Sequence, residues 1–123
     1  MKTIYLCTPI KLGELNHQLI NRIENLDFKV LCAMTDTAQD LSFEKIFTRN
    51  VDLIKQSDLL VVVLKDYGKD LTAEVGMAYS LGKPMVGIDY NADKEDVMCY
   101  YALNEVIKTP DLEKTLKKYK RGK

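Results

Sequence analysis

One acidic side chain inside an apolar helical stripe carries more chemical content than any other feature of this sequence. In Asp70-Leu71-Thr72-Ala73-Glu74-Val75-Gly76-Met77-Ala78, the residues Leu71, Glu74, Ala78 and Leu81 recur at spacings of three and four. That spacing puts them on one stripe of a helix, so Glu74 lies within the apolar face. A carboxylate held there loses hydration, and without partners its pKa rises. The alternative is a carboxylate near a helix start that favours the dipole and caps nearby amides. The stripe alone does not separate the two. Gly76, in the same helix, costs roughly 1 kcal/mol relative to Ala. Gly87, in a strand further on, carries a similar penalty. Tight helix–sheet packing is the expected compensation at both, so the glycines hold Glu74 in place and do no chemistry.

Other chemistries find little support. His17 is the only histidine and sits in a polar stretch of a helix, where it reads as solvated. The three cysteines, Cys7, Cys32 and Cys99, form no CxxC pair and no cluster with histidine. They read as small buried hydrophobes, and neither a metal site nor a Cys/His couple is expected. No GxGxxG follows the first strand and no Walker A sequence is present, which disfavours dinucleotide and nucleoside-triphosphate binding of those kinds. No cofactor is expected. Lys plus Arg and Asp plus Glu number 18 each, so zero net charge gives no bulk attraction to nucleic acid or to an anionic membrane. No apolar run approaches the ~20 residues that span a bilayer. Ile4-Tyr5-Leu6 runs straight into Thr8-Pro9, too short for the core of a signal peptide, and a cytoplasmic location is expected.

The elements that must position Glu74 follow from periodicity and punctuation. Lys2 to Cys7 is a strand, Leu12 to Leu26 a helix, and Phe28 to Ala33 a second strand. Residues 34–41 read as a loop. Ser42 caps a helix running to about Gln56, with Phe43, Ile46, Phe47, Val51 and Ile54 facing inward. The run Leu59-Leu60-Val61-Val62-Val63-Leu64 does not alternate, so both its faces are buried, as in a parallel sheet between helices. The Glu74 helix spans Asp70 to Leu81 and ends at Gly82-Lys83-Pro84. Met85 to Ile88 is the fourth strand, residues 96–103 a helix, and Glu105 to Ile107 a short fifth strand. Thr109 is the expected N-cap of the last helix, with Pro110 in its first turn. Alternating strands and helices imply one domain over residues 1–123, a three-layer doubly wound α/β sandwich. Right-handed crossovers favour the flavodoxin-like strand order 2-1-3-4-5. The basic tail from Lys114 to Lys123 reads as a helix C-terminus followed by a frayed end.

In such sheets ligands bind beyond the carboxyl ends of the strands. That edge gathers Cys7-Thr8-Pro9, residues 34–41, residues 65–70 and residues 89–96. Thr8 and Pro9 are therefore substrate-binding candidates. Three strings then stand out together: Ile4-Tyr5-Leu6 with Pro9, Asp58 with the apolar run after it, and Glu74-Val-Gly76-Met-Ala78-Tyr-Ser-Leu-Gly82-Lys83-Pro84. From Ile4 to about Ile107 the chain resembles the nucleoside 2-deoxyribosyltransferases, with their relatives that hydrolyse nucleoside 5′-monophosphates.

The resemblance implies double displacement at C1′ of a deoxyribosyl group, with a nucleoside or nucleotide and a free base as small-molecule partners. The family's nucleophilic glutamate falls on Glu74 and the tyrosine that hydrogen-bonds it on Tyr5. The aspartate that contacts the base falls on Asp70, with Asp66 as competitor; read alone, Asp70 is a helix N-cap. The sequence departs from the family at two polar positions. Asn50 stands where the family has an aspartate, and an amide cannot donate an acidic proton. Asp96, in Asp96-Val97-Met98, stands where the family's asparagine reaches from a neighbouring subunit to the sugar. Asn50, Asp96 and Met98 are thus substrate-binding candidates by resemblance, and a homo-oligomer with shared sites is implied. Asp58 reads as structural, tying the strand start to neighbouring backbone.

Overall fold

The computed structural model describes residues 1–120. Its five strands are β1 (Thr3–Cys7), β2 (Lys29–Cys32), β3 (Leu59–Leu64), β4 (Met85–Asp89) and β5 (Glu105–Ile107). Its helices are α1 (Glu14–Glu24), α2 (Ala33–Asp36), α3 (Phe43–Gln56), α4 (Lys69–Ser80), α5 (Val97–Tyr100) and α6 (Leu112–Lys120). The strands form one parallel sheet in the order β2-β1-β3-β4-β5. Both the doubly wound architecture and the strand order agree with the sequence reading.

The pleat sorts the core into two layers, because successive strand residues point to opposite faces. Ile4 and Leu6 of β1, with Leu59, Val61 and Val63 of β3, pack against Leu19 and Ile23 of α1 and Leu112 and Leu116 of α6. Tyr5 and Cys7, with Leu60, Val62 and Leu64, pack against Leu53 and Ile54 of α3, Leu71, Val75 and Ala78 of α4, and Cys99 of α5. Every residue of β3 is buried, as its non-alternating sequence requires. Asp58 accepts a 2.8 Å hydrogen bond from the Thr3 amide while its own amide donates to the Thr3 carbonyl. It ties β3 to β1 and has the structural role expected of it. His17 is exposed and all three cysteines are buried.

Several local expectations need correction. Residues 33–36 form α2, closed by the Asp36 carboxylate accepting from the Cys32 amide at 2.8 Å, so the segment after β2 is not all loop. Phe43 and Phe47 do not face inward: they are 91% and 59% exposed. Only the second half of α3 lies over the sheet, where Leu53 and Ile54 are buried, and its first turns stand beyond the strand ends. Gly68 is the N-cap of α4, which places Asp70 in the first turn rather than at the cap. The buried stripe of α4 is Leu71, Val75 and Ala78; Leu81 is exposed, and Glu74 sits at the margin of the stripe, half-buried. Thr109 is not the cap of α6: a short 3-10 turn over Thr109–Asp111 precedes that helix. Residues 96–103 hold only the four-residue α5 followed by turns. Of the basic tail, residues 121–123 lie outside the described residues, and α6 ends with Lys117, Lys118 and Lys120 in its last turn.

The two glycines also part company. A Cβ on Gly87 would stand 2.7 Å from Leu103 Cδ1 and 3.1 Å from Leu64 Cδ1, so close packing explains this one. A Cβ on Gly76 would meet nothing within 4 Å among the described residues, so packing between them does not explain that one.

Candidate functional site

Beyond the carboxyl ends of β1 and β3, α3 and α4 diverge and leave a cleft with two lobes. One lobe, of about 320 Å³, is walled by Phe43, Ile46, Phe47, Val51 and Met77. The other, of about 440 Å³, is lined by Thr8, Pro9, Ile10, Ala33, Gly68 and Lys69. Asn50, Asp70 and Glu74 belong to both, so the two lobes meet at the Glu74 carboxylate.

Glu74 reaches this junction because α4 starts directly after β3 and turns back over the sheet, carrying its second turn across the end of β1. There Oε1 accepts a 2.9 Å hydrogen bond from the Tyr5 hydroxyl and a 3.4 Å contact from the Cys7 thiol. Tyr5 and Cys7 are two residues apart on β1, hence on the same face, and both are buried. Burial pushes the Glu74 pKa above the ordinary carboxylate range. The Tyr5 and Cys7 donors pull it part of the way back, and the nearby Asp70 charge pushes it up. Burial and the adjacent carboxylate push the Tyr5 phenol and the Cys7 thiol far up, so both remain protonated donors.

The rims are fixed by polar contacts. Asn16 of α1 is fully buried: its Oδ1 accepts from the Thr8 hydroxyl at 2.7 Å, and its Nδ2 donates to the Pro9 carbonyl at 3.0 Å and to Met34 Sδ at 3.6 Å. This strap sets the path of the Thr8-Pro9 segment. On α3, Asn50 Oδ1 accepts from the Thr37 hydroxyl at 2.7 Å. Asp70 is exposed at the cleft mouth, one turn before Glu74. Its competitor Asp66 is directed elsewhere: with φ 48° it exchanges hydrogen bonds with Asn91 at 3.0 and 2.7 Å. Asp66 lines a separate depression with Tyr67, Asn91, Asp93 and Asp96.

Of the residues singled out in the sequence, Tyr5, Thr8, Pro9, Asn50, Asp70 and Glu74 converge on the cleft. Asp96 and Met98 do not. They lie on another groove, of about 560 Å³, with Thr72, Gly76 and Tyr79 of α4 and Tyr101. Sequence reasoning missed Cys7 as a partner of Glu74, Asn16 as the strap, and Phe43 and Phe47 as cleft wall. The first two carry legible signals. Cys7 shares the Tyr5 face by strand period, and Asn16 falls on the Leu19–Ile23 stripe at helical spacing. Among the described residues no group of three or more His, Cys, Asp or Glu is arranged to hold a metal ion. Nor is any described helix long and apolar enough to cross a membrane.

The strand order and a cleft at the strand ends set the chain among flavodoxin-like α/β proteins. Within that class, a family model described as nucleoside 2-deoxyribosyltransferase matches residues 4–109, and the chain belongs to that family. No curated protein matches it. Among solved structures it is similar to a conserved protein from Enterococcus faecalis V583, at 18% identity and TM-score 0.82, over 97% of this chain and 99% of that one. It is similar to a 2-deoxyribosyltransferase from Bacillus psychrosaccharolyticus, at 22% identity and TM-score 0.71, over 90% of each chain. A CMP N-glycosidase from Clostridium botulinum is 20% identical with TM-score 0.68, over 96% of this chain and 99% of that one. At these identities the structural likeness shows the fold. Family and fold together support a function in nucleoside glycosyl transfer or hydrolysis.

A raised Glu74 pKa has a consequence for stability. Because the folded-state pKa lies above the unfolded value, the contribution is fully present below the unfolded pKa and is lost as pH rises through the folded one. Glu74→Gln removes the buried charge and keeps an amide oxygen that accepts from Tyr5. At pH 7 the variant is expected to melt above the wild type, with the difference shrinking as the pH is lowered toward 4. Calorimetry across that range checks this; a variant that melts lower at pH 7 would show that the two donors outweigh desolvation.

Proposed function

We propose that this protein transfers a 2-deoxyribosyl group between nucleobases through a covalent glycosyl–Glu74 intermediate. The observation that carries the reading is the half-buried Glu74 carboxylate, hydrogen-bonded by Tyr5 at the junction of the two lobes. A carboxylate oxygen of Glu74 attacks C1′ as the C1′–N bond breaks. The leaving base departs with that electron pair and takes a proton from water at the open mouth of the cleft, where Asp70 stands. The glycosyl ester then reacts in reverse: the nitrogen of a second base attacks C1′, Glu74 leaves as the carboxylate, and the second base gives up its proton to water at the cleft mouth. Tyr5 orients the carboxylate and offsets its negative charge. The apolar lobe between α3 and α4 suits a flat heterocycle, with Phe43 and Phe47 as stacking faces. The lobe beside Thr8, Pro9 and Lys69 suits the hydroxyls of the sugar.

Hydrolysis of a nucleoside 5′-monophosphate is the second reading. It is favoured by Lys69 and the α4 N-terminus at the sugar lobe, which suit an anion. The first reading is preferred because the family model that matches residues 4–109 is that of the nucleoside 2-deoxyribosyltransferases. Incubation with a deoxynucleoside and a different free base, followed by chromatography, is expected to yield the exchanged deoxynucleoside. In a parallel incubation with a nucleoside 5′-monophosphate, release of free base and sugar 5-phosphate would support the hydrolase. Tight binding with no product would contradict both and leave a nucleoside sensor.

Asp96 and Met98 enter the reading through a second copy of the chain. Val97, Met98 and Tyr101 are 55%, 86% and 66% exposed, beside the exposed Tyr79 of α4. This apolar surface supports a homo-oligomer in which one copy's Asp96 and Met98 complete the cleft of another. Sedimentation at micromolar concentration is expected to show at least a dimer of the 14.1 kDa chain. A single monomeric species would contradict it.

A further inference from the structure

We infer that Cys7 is a positioning residue for Glu74: its thiol donates to the oxygen that Tyr5 already holds and leaves the other carboxylate oxygen to meet the substrate. The inference rests on the proposed role of Glu74. Cys7 is fully buried, with its Sγ 3.4 Å from Glu74 Oε1 and 3.9 Å from the Leu71 carbonyl oxygen. Tyr5 donates to the same Oε1, and no hydrogen bond among the described residues reaches Oε2. Two donors converging on one oxygen fix the rotation of the carboxylate, which a single donor would leave free.

The choice of a thiol has a physical reason. A side chain here is packed among Tyr5, Leu71 and Val75 with no access to water. A thiol is a weak donor that behaves as a small hydrophobe, so it helps the carboxylate without a large desolvation cost of its own. The groups facing Glu74 are few. Tyr5 and Cys7 come from β1 and Asp70 from one turn earlier on α4, while Cys99 of α5 shares the layer of Cys7 and Cys32, at the end of β2, lies on the opposite face of the sheet. Lys69 and Asn50 stand on the rim of the same cleft. Among these, the two β1 donors favour the ionised form, while burial and Asp70 oppose it.

Removal of the thiol is therefore expected to make Glu74 harder to ionise. In Cys7→Ala the acid limb of kcat/KM should move to higher pH by about half a unit. In Cys7→Ser, which restores a donor, it should lie below the Cys7→Ala value. An acid limb in Cys7→Ala that is unchanged or moves to lower pH overturns the inference. Infrared spectroscopy supplies a test that needs neither turnover nor a stable Cys7→Ala. The S–H band of the wild type that is absent from Cys7→Ser should shift as Glu74 ionises, and should stay fixed with pH in Glu74→Gln. A band with the same pH response in both proteins overturns the hydrogen bond. Turnover by Glu74→Gln would instead remove the proposed function, and the infrared result would stand apart from it.

Discussion

The site depends on the pleat of a single strand. β1 is hydrogen-bonded on both sides and covered on both faces, so its residues have no freedom in which layer they enter. Ile4 and Leu6 must join the α1–α6 layer, and Tyr5 and Cys7 must join the α3–α4 layer. A one-residue slip would reverse the assignment and empty both cores. This constraint brings a hydroxyl and a thiol beneath the second turn of α4, where a carboxylate would otherwise be buried without partners. Glu74 is thus held between opposing effects. Loss of water and the charge of Asp70 favour its neutral form, while the two donors favour the anion. A charge kept in so poorly solvated a place is more reactive than one in water, and the fold tolerates it at a cost in stability.

The rest of the cleft follows from element lengths. The strands beside it are short, and α3 is 14 residues long, so the helix outruns the sheet. Its overhanging turns expose Phe43 and Phe47, which gives the cleft an aromatic wall at no expense to the core. On the opposite rim Asn16 spends its whole amide on Thr8, Pro9 and Met34. A buried amide with these partners makes the rim a rigid feature, since losing any one of them would strand a polar atom. Wall and strap are built from different layers of the sandwich, the wall from the α3–α4 layer and the strap from the α1–α6 layer.

Much of this was legible in the sequence, and the parts that were not share a cause. The non-alternating run of β3 and the glycine–proline stop after α4 fixed layers and boundaries, because they express local backbone chemistry. Glu74 stood out because a charge in an apolar stripe is locally anomalous. Its partners were less visible: periodicity says that Tyr5 and Cys7 share a face, but only the crossover from β3 to α4 says what that face meets. Phe43 and Phe47 misled because they follow the amphipathic period of α3, and period cannot report where the sheet beneath a helix ends. Gly76 misled for a related reason. A mid-helix glycine implied a close neighbour, and among the described residues none lies within 4 Å of where its Cβ would stand. It lies on the groove with Met98 and Tyr101, the surface that the proposed oligomer would cover.

The central claim is that Glu74 forms a bond to C1′. A 2-fluoro-2-deoxy nucleoside destabilises the oxocarbenium-like state through which the glycosyl ester must break down, so the ester should accumulate. Mass spectrometry of the protein after reaction with this compound is expected to show the addition of one fluorinated deoxyribosyl group, mapping to the peptide that contains Glu74. Base exchange on the natural deoxynucleoside with no adduct on that peptide, or with the adduct on another residue, would contradict the account.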